Sequence, residues 1–367
     1  MNLQRQIDKV RAEIKTDSYP MSIGEWINLY NDNEIDIHPE FQRFYRWSSN
    51  QKTRFIESIL LGIPIPPIFV SQSEKGIWDV VDGLQRLSTI YEFVGILHDE
   101  DGKKLPLLIL EGTKYLPSLK GKVWEDRKNP SRSLDQMQRL SIKRTKLHVN
   151  IILRESDEKA KYELFQRLNT GGSPLSEQEV RNCLMVMVNR NFYESLKRLA
   201  EYQLFQDSIS LTDKAISEQY DLELALRFIL LRRLTTGGLK EIGGDVSEYI
   251  TEAMMDVLKM RNFDWDTERG VFKKTFDTIY EALQEDTFKR YDNQKQRFVG
   301  GFLLSAYEVV ALGLGYLGGQ TEHSPEEIKR AVQSIWSNDF FIKNSGSGIK
   351  ASSRLPKLMP FGRKLFQ

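Results

Sequence analysis

Apolar positions follow two rhythms along the chain. Up to about residue 156 they come in short runs and alternations broken by Gly, Pro and polar turns. Ser22 stands where an N-cap belongs, ahead of a helical pattern reaching about Tyr30. Ile35-Asp-Ile-His38 alternates and stops at Pro39, which predicts a short strand. Ser48 or Ser49 caps a helix over residues 51–61, whose Phe55, Ile59 and Leu60 share a face, and Gly62-Ile-Pro-Ile-Pro-Pro67 ends it. Residues 68–70 and 77–81 read as strands joined by a polar turn, and residues 87–97 as a helix. Residues 106–110 and 146–153 read as further strands around an irregular insert, and Leu3, Ile7, Val10 and Ile14 put an amphipathic helix ahead of everything.

From Asp157 onward the spacing turns helical. Residues 159–168 predict a helix, residues 169–174 a turn, and residues 176–189 a helix opened by the capping box Ser176-Glu-Gln-Glu179. Leu222, Leu226, Ile229 and Leu230 typify residues 192–336, which read as helix punctuated by glycine-bearing turns. A chain of 367 residues exceeds what one core of roughly 250–300 residues sustains. The expected architecture is an α+β domain over residues 1–185, then an all-helical domain over residues 186–367 ending in a basic tail.

Composition narrows the function classes. One cysteine, Cys183, excludes a disulfide framework and thiolate-rich metal sites. No run reaches the roughly 18 apolar residues of a membrane span, and residues 1–15 lack the apolar core of a signal peptide, so a cytoplasmic location is expected. The formal net charge of +1 hides segregation. Residues 112–154 hold eleven Lys/Arg against three acidic residues, and residues 343–367 hold six against none, the local excess that polyanions reward. Lys120, Lys122, Arg127, Lys128, Arg132, Lys143 and Arg144 in the first segment, and Lys350, Arg354 and Lys357 in the second, are the candidate DNA contacts. Solvated helix faces and a frayed tail would give the same composition.

Three clusters carry candidate chemistry. In Trp78-Asp-Val-Val-Asp82-Gly83-Leu-Gln85-Arg86-Leu-Ser88-Thr89 a strand delivers Asp82 to a turn that Gly83 sharpens, and a helix begins at once. Free N–H groups at that helix start, Arg86 and the hydroxyls of Ser88 and Thr89 are the parts of a phosphate site, with Asp82 placed to hold a cation or orient a water. A strand–turn–helix with a capping aspartate reads the same residues structurally. The second cluster, residues 38–47, packs Gln42, Arg43, Arg46 and Trp47 among further rings, a composition that grips phosphate and stacks a base. The third, Phe165-Gln-Arg-Leu-Asn169-Thr170-Gly171-Gly172, offers glycine-freed amides for an anion, though Asn169 would serve equally as a helix cap.

Phe41-Gln-Arg43, Pro64-Ile-Pro-Pro67, Asp82-Gly-Leu-Gln-Arg86 and Phe165…Asn169-Thr-Gly-Gly…Leu-Ser…Gln-Glu179 occur in that order. Together they resemble the N-terminal domain of GmrSD-type restriction systems, a branch of the ParB/sulfiredoxin-like superfamily with an Asp-Gly-Gln-Gln-Arg motif. The resemblance spans about residues 20–185. It implies a ParB-like α+β fold, NTP binding and hydrolysis, and sensing of modified or foreign DNA. It also puts Asp82, Gln85 and Arg86 at the nucleotide, with Gln42 and Arg43 beside them. For an NTP-dependent sensor, Mg²⁺ is expected to offset the phosphate charge.

Leu84 stands where the family has its first Gln, which removes one polar contact from the turn. Beyond residue 185 His323 stands alone, with no His-Asn-His nuclease motif around it, so cutting is expected of a separate nuclease partner. Two further readings stay open: a DNA-binding module that uses nucleotide as a clamp, and a nuclease acting through Asp82. The sequence is compatible with a homo-oligomer and names no metal ligand set.

Overall fold

The structure is a computed structural model that describes residues 3–4, 15–37, 47–73, 75–99, 102–156, 176–235, 238, 242, 244–346 and 348–367. The chain divides into two compact units, Met1–Pro174 and Leu175–Gln367. The first combines a sheet with helices and the second is helical, as the two rhythms predict.

The first unit runs β1 (Thr16–Ser22), α1 (Ile23–Asn31), β2 (Ile35–Asp36), α2 (Ser49–Leu61), β3 (Ile68–Gln72), β4 (Trp78–Asp82), α3 (Leu84–Val94), α4 (Gln136–Arg144) and β5 (Lys146–Ile152). The strands form one mixed sheet in the order β1-β5-β3-β4-β2. β1 pairs antiparallel with β5, β5 parallel with β3, β3 antiparallel with β4, and β4 parallel with β2. Alternation along the strands buries Val70, Val80, Leu147, Val149 and Ile151 with Trp26 of α1, Ile56 of α2 and Leu87 and Tyr91 of α3. The Tyr91 hydroxyl donates to the Trp26 carbonyl at 3.1 Å, which satisfies a phenol otherwise fully removed from water.

Local signals set the helix boundaries. Ser22 caps α1 by accepting from the Glu25 amide, and Ser48 with Gln51 forms a capping box on α2. Gly62, in the left-handed region at φ 69°, closes α2 before the prolines. α3 begins at Leu84, earlier than its apolar spacing predicts, and stops at Gly95.

One expected strand is absent and two unexpected elements are present. Residues 106–110 join no sheet; Leu108 and Leu110 turn inward while Leu107 and Ile109 stay exposed, and Leu110 is fixed by its amide donating to the Lys122 carbonyl at 2.8 Å. β1 was not visible in the sequence, because five of its seven residues are exposed and Pro20 interrupts it. Pro20 is tolerated there because β1 is an edge strand paired on one side only. α4 was hidden within the basic insert, since Ile142 is its one buried residue. The amphipathic helix expected from Leu3 to Ile14, and the helix and turn expected over residues 159–174, lie outside the described residues.

The second unit opens with α5 (Glu177–Ala200), capped by Ser176 and Glu179. It breaks at Asn189, whose side chain then accepts from the Phe192 amide at 3.1 Å and caps the second half. Then come α6 (Gln203–Ile209), α7 (Asp213–Ser217), α8 (Tyr220–Leu231), α9 (Val246–Leu258) and α10 (Trp265–Leu283). A hairpin of β6 (Arg290–Asp292) and β7 (Arg297–Val299) interrupts the expected helical run. α11 (Leu304–Tyr316), α12 (Pro325–Ser334), α13 (Asp339–Ser345) and α14 (Ala351–Leu365) complete it. Phe205, Phe228, Phe272 and Phe276 form the aromatic centre, with ring centroids 4.6–5.7 Å apart.

The expected basic tail is the helix α14, packed along α11 with Leu355, Leu358 and Met359 buried. The two backbones touch where Gly313 meets Gly362; a Cβ on Gly362 would overlap the Val309 carbonyl. No helix among the described residues is long and apolar enough to cross a membrane.

Candidate functional site

β4 carries Asp82 to its end because Val80 and Val81 anchor the strand in apolar surroundings. Gly83 then turns the chain at φ 101°, a conformation costly for any L side chain, and a Cβ there would also overlap Ile68 Cδ1. α3 starts immediately with no side chain capping it. The first N–H groups of α3 have no intrahelical acceptors, and they lie at its electropositive end.

Arg86 does not reach outward from this turn. Its guanidinium is buried, donating from Nη2 to Asp82 Oδ2 at 2.6 Å and from Nη1 to the Pro66 carbonyl at 2.9 Å. The Asp82 carboxylate is itself partly exposed, and among the described residues its second oxygen, Oδ1, accepts no hydrogen bond. Arg86 thus orients Asp82 and ties it to the proline-rich segment before β3. That segment, read from sequence as the end of a helix, supplies an acceptor to the site.

Gln85 Oε1 accepts from the Trp47 amide at 3.3 Å, which brings Trp47 to the turn. The Trp47 ring meets Phe55 edge-on at 5.5 Å and packs against the core. Ser88 and Thr89 are fully buried, Thr89 donating to the Gln85 carbonyl at 2.7 Å, so their hydroxyls do not face the open side of the turn. Gln42, Arg43, Arg46, Asn169, Thr170 and Gly171 lie outside the described residues.

Two carboxylates were not singled out from the sequence. Asp36 of β2 and Asp79 of β4 are register partners, half-buried on the sheet face opposite the core. The signal was present, since Ile35-Asp-Ile and Trp78-Asp-Val alternate in phase. No group of three or more His, Cys, Asp or Glu side chains that could hold a metal gathers among the described residues.

The basic residues sort into two kinds. Lys120, Arg127, Lys128, Lys143 and Arg144 are exposed. Lys122 instead donates to the Ser131 carbonyl at 2.9 Å, and Arg132 donates to the Gly121 carbonyl at 3.3 Å, so both stitch the insert together. In the second unit Lys350 is exposed, and Lys357 donates to Asn344 Oδ1 at 2.9 Å. Arg354 is a correction to the expected DNA contacts. It grips the buried Glu308 carboxylate at 2.6 and 2.8 Å and is mostly enclosed. Burial pushes the Glu308 carboxyl up while Arg354 opposes the shift, and the Glu308 hydrogen bond holds Arg354 above its ordinary value.

Residues 23–186 match the family model of the GmrSD restriction endonuclease, N-terminal domain. This stretch, a little under half the chain, is similar to that restriction-system domain, and the turn at residues 82–86 lies within it. Neither a curated protein nor a solved structure gives a match to the chain.

Proposed function

We infer that the protein is a nucleotide-dependent sensor subunit of a restriction-type system, which binds and hydrolyses an NTP at the Asp82–Arg86 turn and contacts DNA through exposed basic residues. One observation carries this reading: an uncapped helix start after a left-handed glycine, with a carboxylate held beside it by a buried arginine. The first N–H groups of α3 suit phosphate oxygens, and Asp82 Oδ1 suits a hydrated Mg²⁺. When bound, that cation would supply charge neutralisation on the phosphates. Asp82 would fix the cation or the attacking water, Arg86 would keep Asp82 in place, and Gln85 would report occupancy to the chain at Trp47. A separate nuclease would do the cutting.

The test is calorimetric titration with each NTP, followed by a phosphate-release assay, on the parent, Asp82→Asn and Gln85→Ala. Binding by the parent with turnover lost in Asp82→Asn is the expected result; no binding of any NTP would overturn the reading. Leu84 favours a second reading, a clamp without turnover. It packs against the core and offers no polar group at the turn, and binding without phosphate release would select this reading.

A further inference from the structure

α4 has an unusual burial pattern for a nine-residue helix. Asp135 and Gln138 form a capping box on its start, Ile142 anchors it, and nearly everything else is exposed. Met137, Leu140, Ser141 and Arg144 fall at helical spacing on one face, and with Asp135, Gln136 and Thr145 they line an open groove of about 790 Å³. Met137 is 77% exposed, far beyond what a side chain kept for packing shows. Nothing within the described residues covers this face.

Around α4 the cations Arg127, Lys128, Lys143, Arg144 and Lys146 outnumber the acids Glu125, Asp126 and Asp135. The segment before it folds back alongside, with Arg139 paired to Glu125 at 3.2 Å and Lys143 lying 6.0 Å over the Trp124 ring. Arg127 and Lys128, both exposed, follow the Trp124–Glu125 contact closely in sequence, Arg144 ends the helix and Lys146 lies just past it. We propose that α4 is a duplex-reading helix that enters the major groove of DNA, Arg127 and Lys128 holding the phosphates beside it. The proposal rests on the DNA contact inferred above and assigns it to one element.

Size and chemistry both fit. A helix with its side chains is about 10–12 Å across, and the major groove, about 12 Å wide, admits one. Gln136 and Arg144 carry the side-chain types that pair with adenine and guanine edges, Ser141 reads either, and Met137 and Leu140 offer apolar contact to a thymine methyl. An apolar stripe alone would suit a protein partner. The cationic flank and the base-pairing side chains favour nucleic acid.

The test uses full-length protein and a labelled pool of random-sequence duplexes, with and without ATP, GTP and Mg²⁺, over a salt series. Arg127→Ala and Lys128→Ala should weaken binding to all sequences alike and lower the salt slope by about one each. Gln136→Ala and Met137→Ala should keep the salt slope but change which sequences are enriched on selection. Circular dichroism and unfolding midpoints of these exposed-site variants should match the parent. If the parent binds duplexes and the α4 variants enrich the same sequences as the parent, α4 is not the reader while the DNA reading stands. If the parent binds no duplex at low salt under any nucleotide condition, the DNA reading itself fails.

Discussion

Arg86 Nη2 and Asp82 Oδ2 lie 2.6 Å apart across a single glycine turn, with the guanidinium buried and the carboxylate partly open to water. One residue is therefore scaffold and the other is presented. The motif has an inward and an outward half, and variants of the two should behave differently.

Arg86→Ala removes donors from Asp82 and from the Pro66 carbonyl. Hydrogen bonds to charged groups contribute about 1.5–3 kcal/mol each, and the exposure of Asp82 places this pair at the low end. We expect a loss of about 2 kcal/mol in urea-unfolding stability together with lost nucleotide turnover. Asp82→Asn should lose turnover at a smaller cost in stability than Arg86→Ala, since its amide oxygen still accepts from Arg86 although the counter-charge is gone. Equal stability of Arg86→Ala and the parent would contradict the scaffold role.

Gly83→Ala should be more disruptive than its size suggests. The residue sits at φ 101°, and its Cβ would overlap Ile68 Cδ1. Strain and overpacking each cost about 1–3 kcal/mol. A thermal-unfolding midpoint within a degree or so of the parent would rule out this account of the turn.

Glu308 and Arg354 predict a non-additive pair in the second unit. Arg354→Ala leaves a buried carboxylate without its partner, at a cost of about 3–5 kcal/mol. The double change Glu308→Leu with Arg354→Met should recover most of that loss, which a double-mutant cycle by chemical denaturation measures. DNA affinity per folded molecule should not follow Arg354, in contrast to Arg127 and Lys128.

Tyr220 gives the second unit an alkaline limit. Burial, reinforced by Glu223, pushes its phenol from 10.0 to about 12. The folded state holds the proton more tightly than the unfolded one, so this contribution is intact below pH 10 and is lost as pH climbs toward 12. Tyr220→Phe should flatten the fall of unfolding free energy across that interval. An unchanged slope would show that other groups set it.

Much of the site's framework was legible in the sequence because it rests on local rules. Val80, Val81, Asp82 and Gly83 spell a strand that ends in a sharp turn, and Ser22, Ser48 and Ser176 mark helix starts through short-range hydrogen bonds. What was missed depends on partners distant in sequence. β1 exists because β5 pairs with it more than a hundred residues later, despite Pro20 and its exposed side chains. Arg86 read as a phosphate ligand and Arg354 as a DNA contact, since composition does not reveal that Pro66 and Glu308 wait inside to accept them. α4 has three apolar residues, Met137, Leu140 and Ile142, and buries only Ile142, so no core-facing pattern announced it.

The contact between Gly313 and Gly362 has a consequence for how the C-terminal end can be handled. With the backbones of α11 and α14 in touch there, and Leu355, Leu358 and Met359 filling space beneath, α14 is a wall of the helical unit. A protease or a deletion that stripped residues 351–367 would not trim an appendage. It would uncover a hydrophobic trough along α11 and leave Glu308 facing it bare, and the product should aggregate rather than survive as a shortened protein.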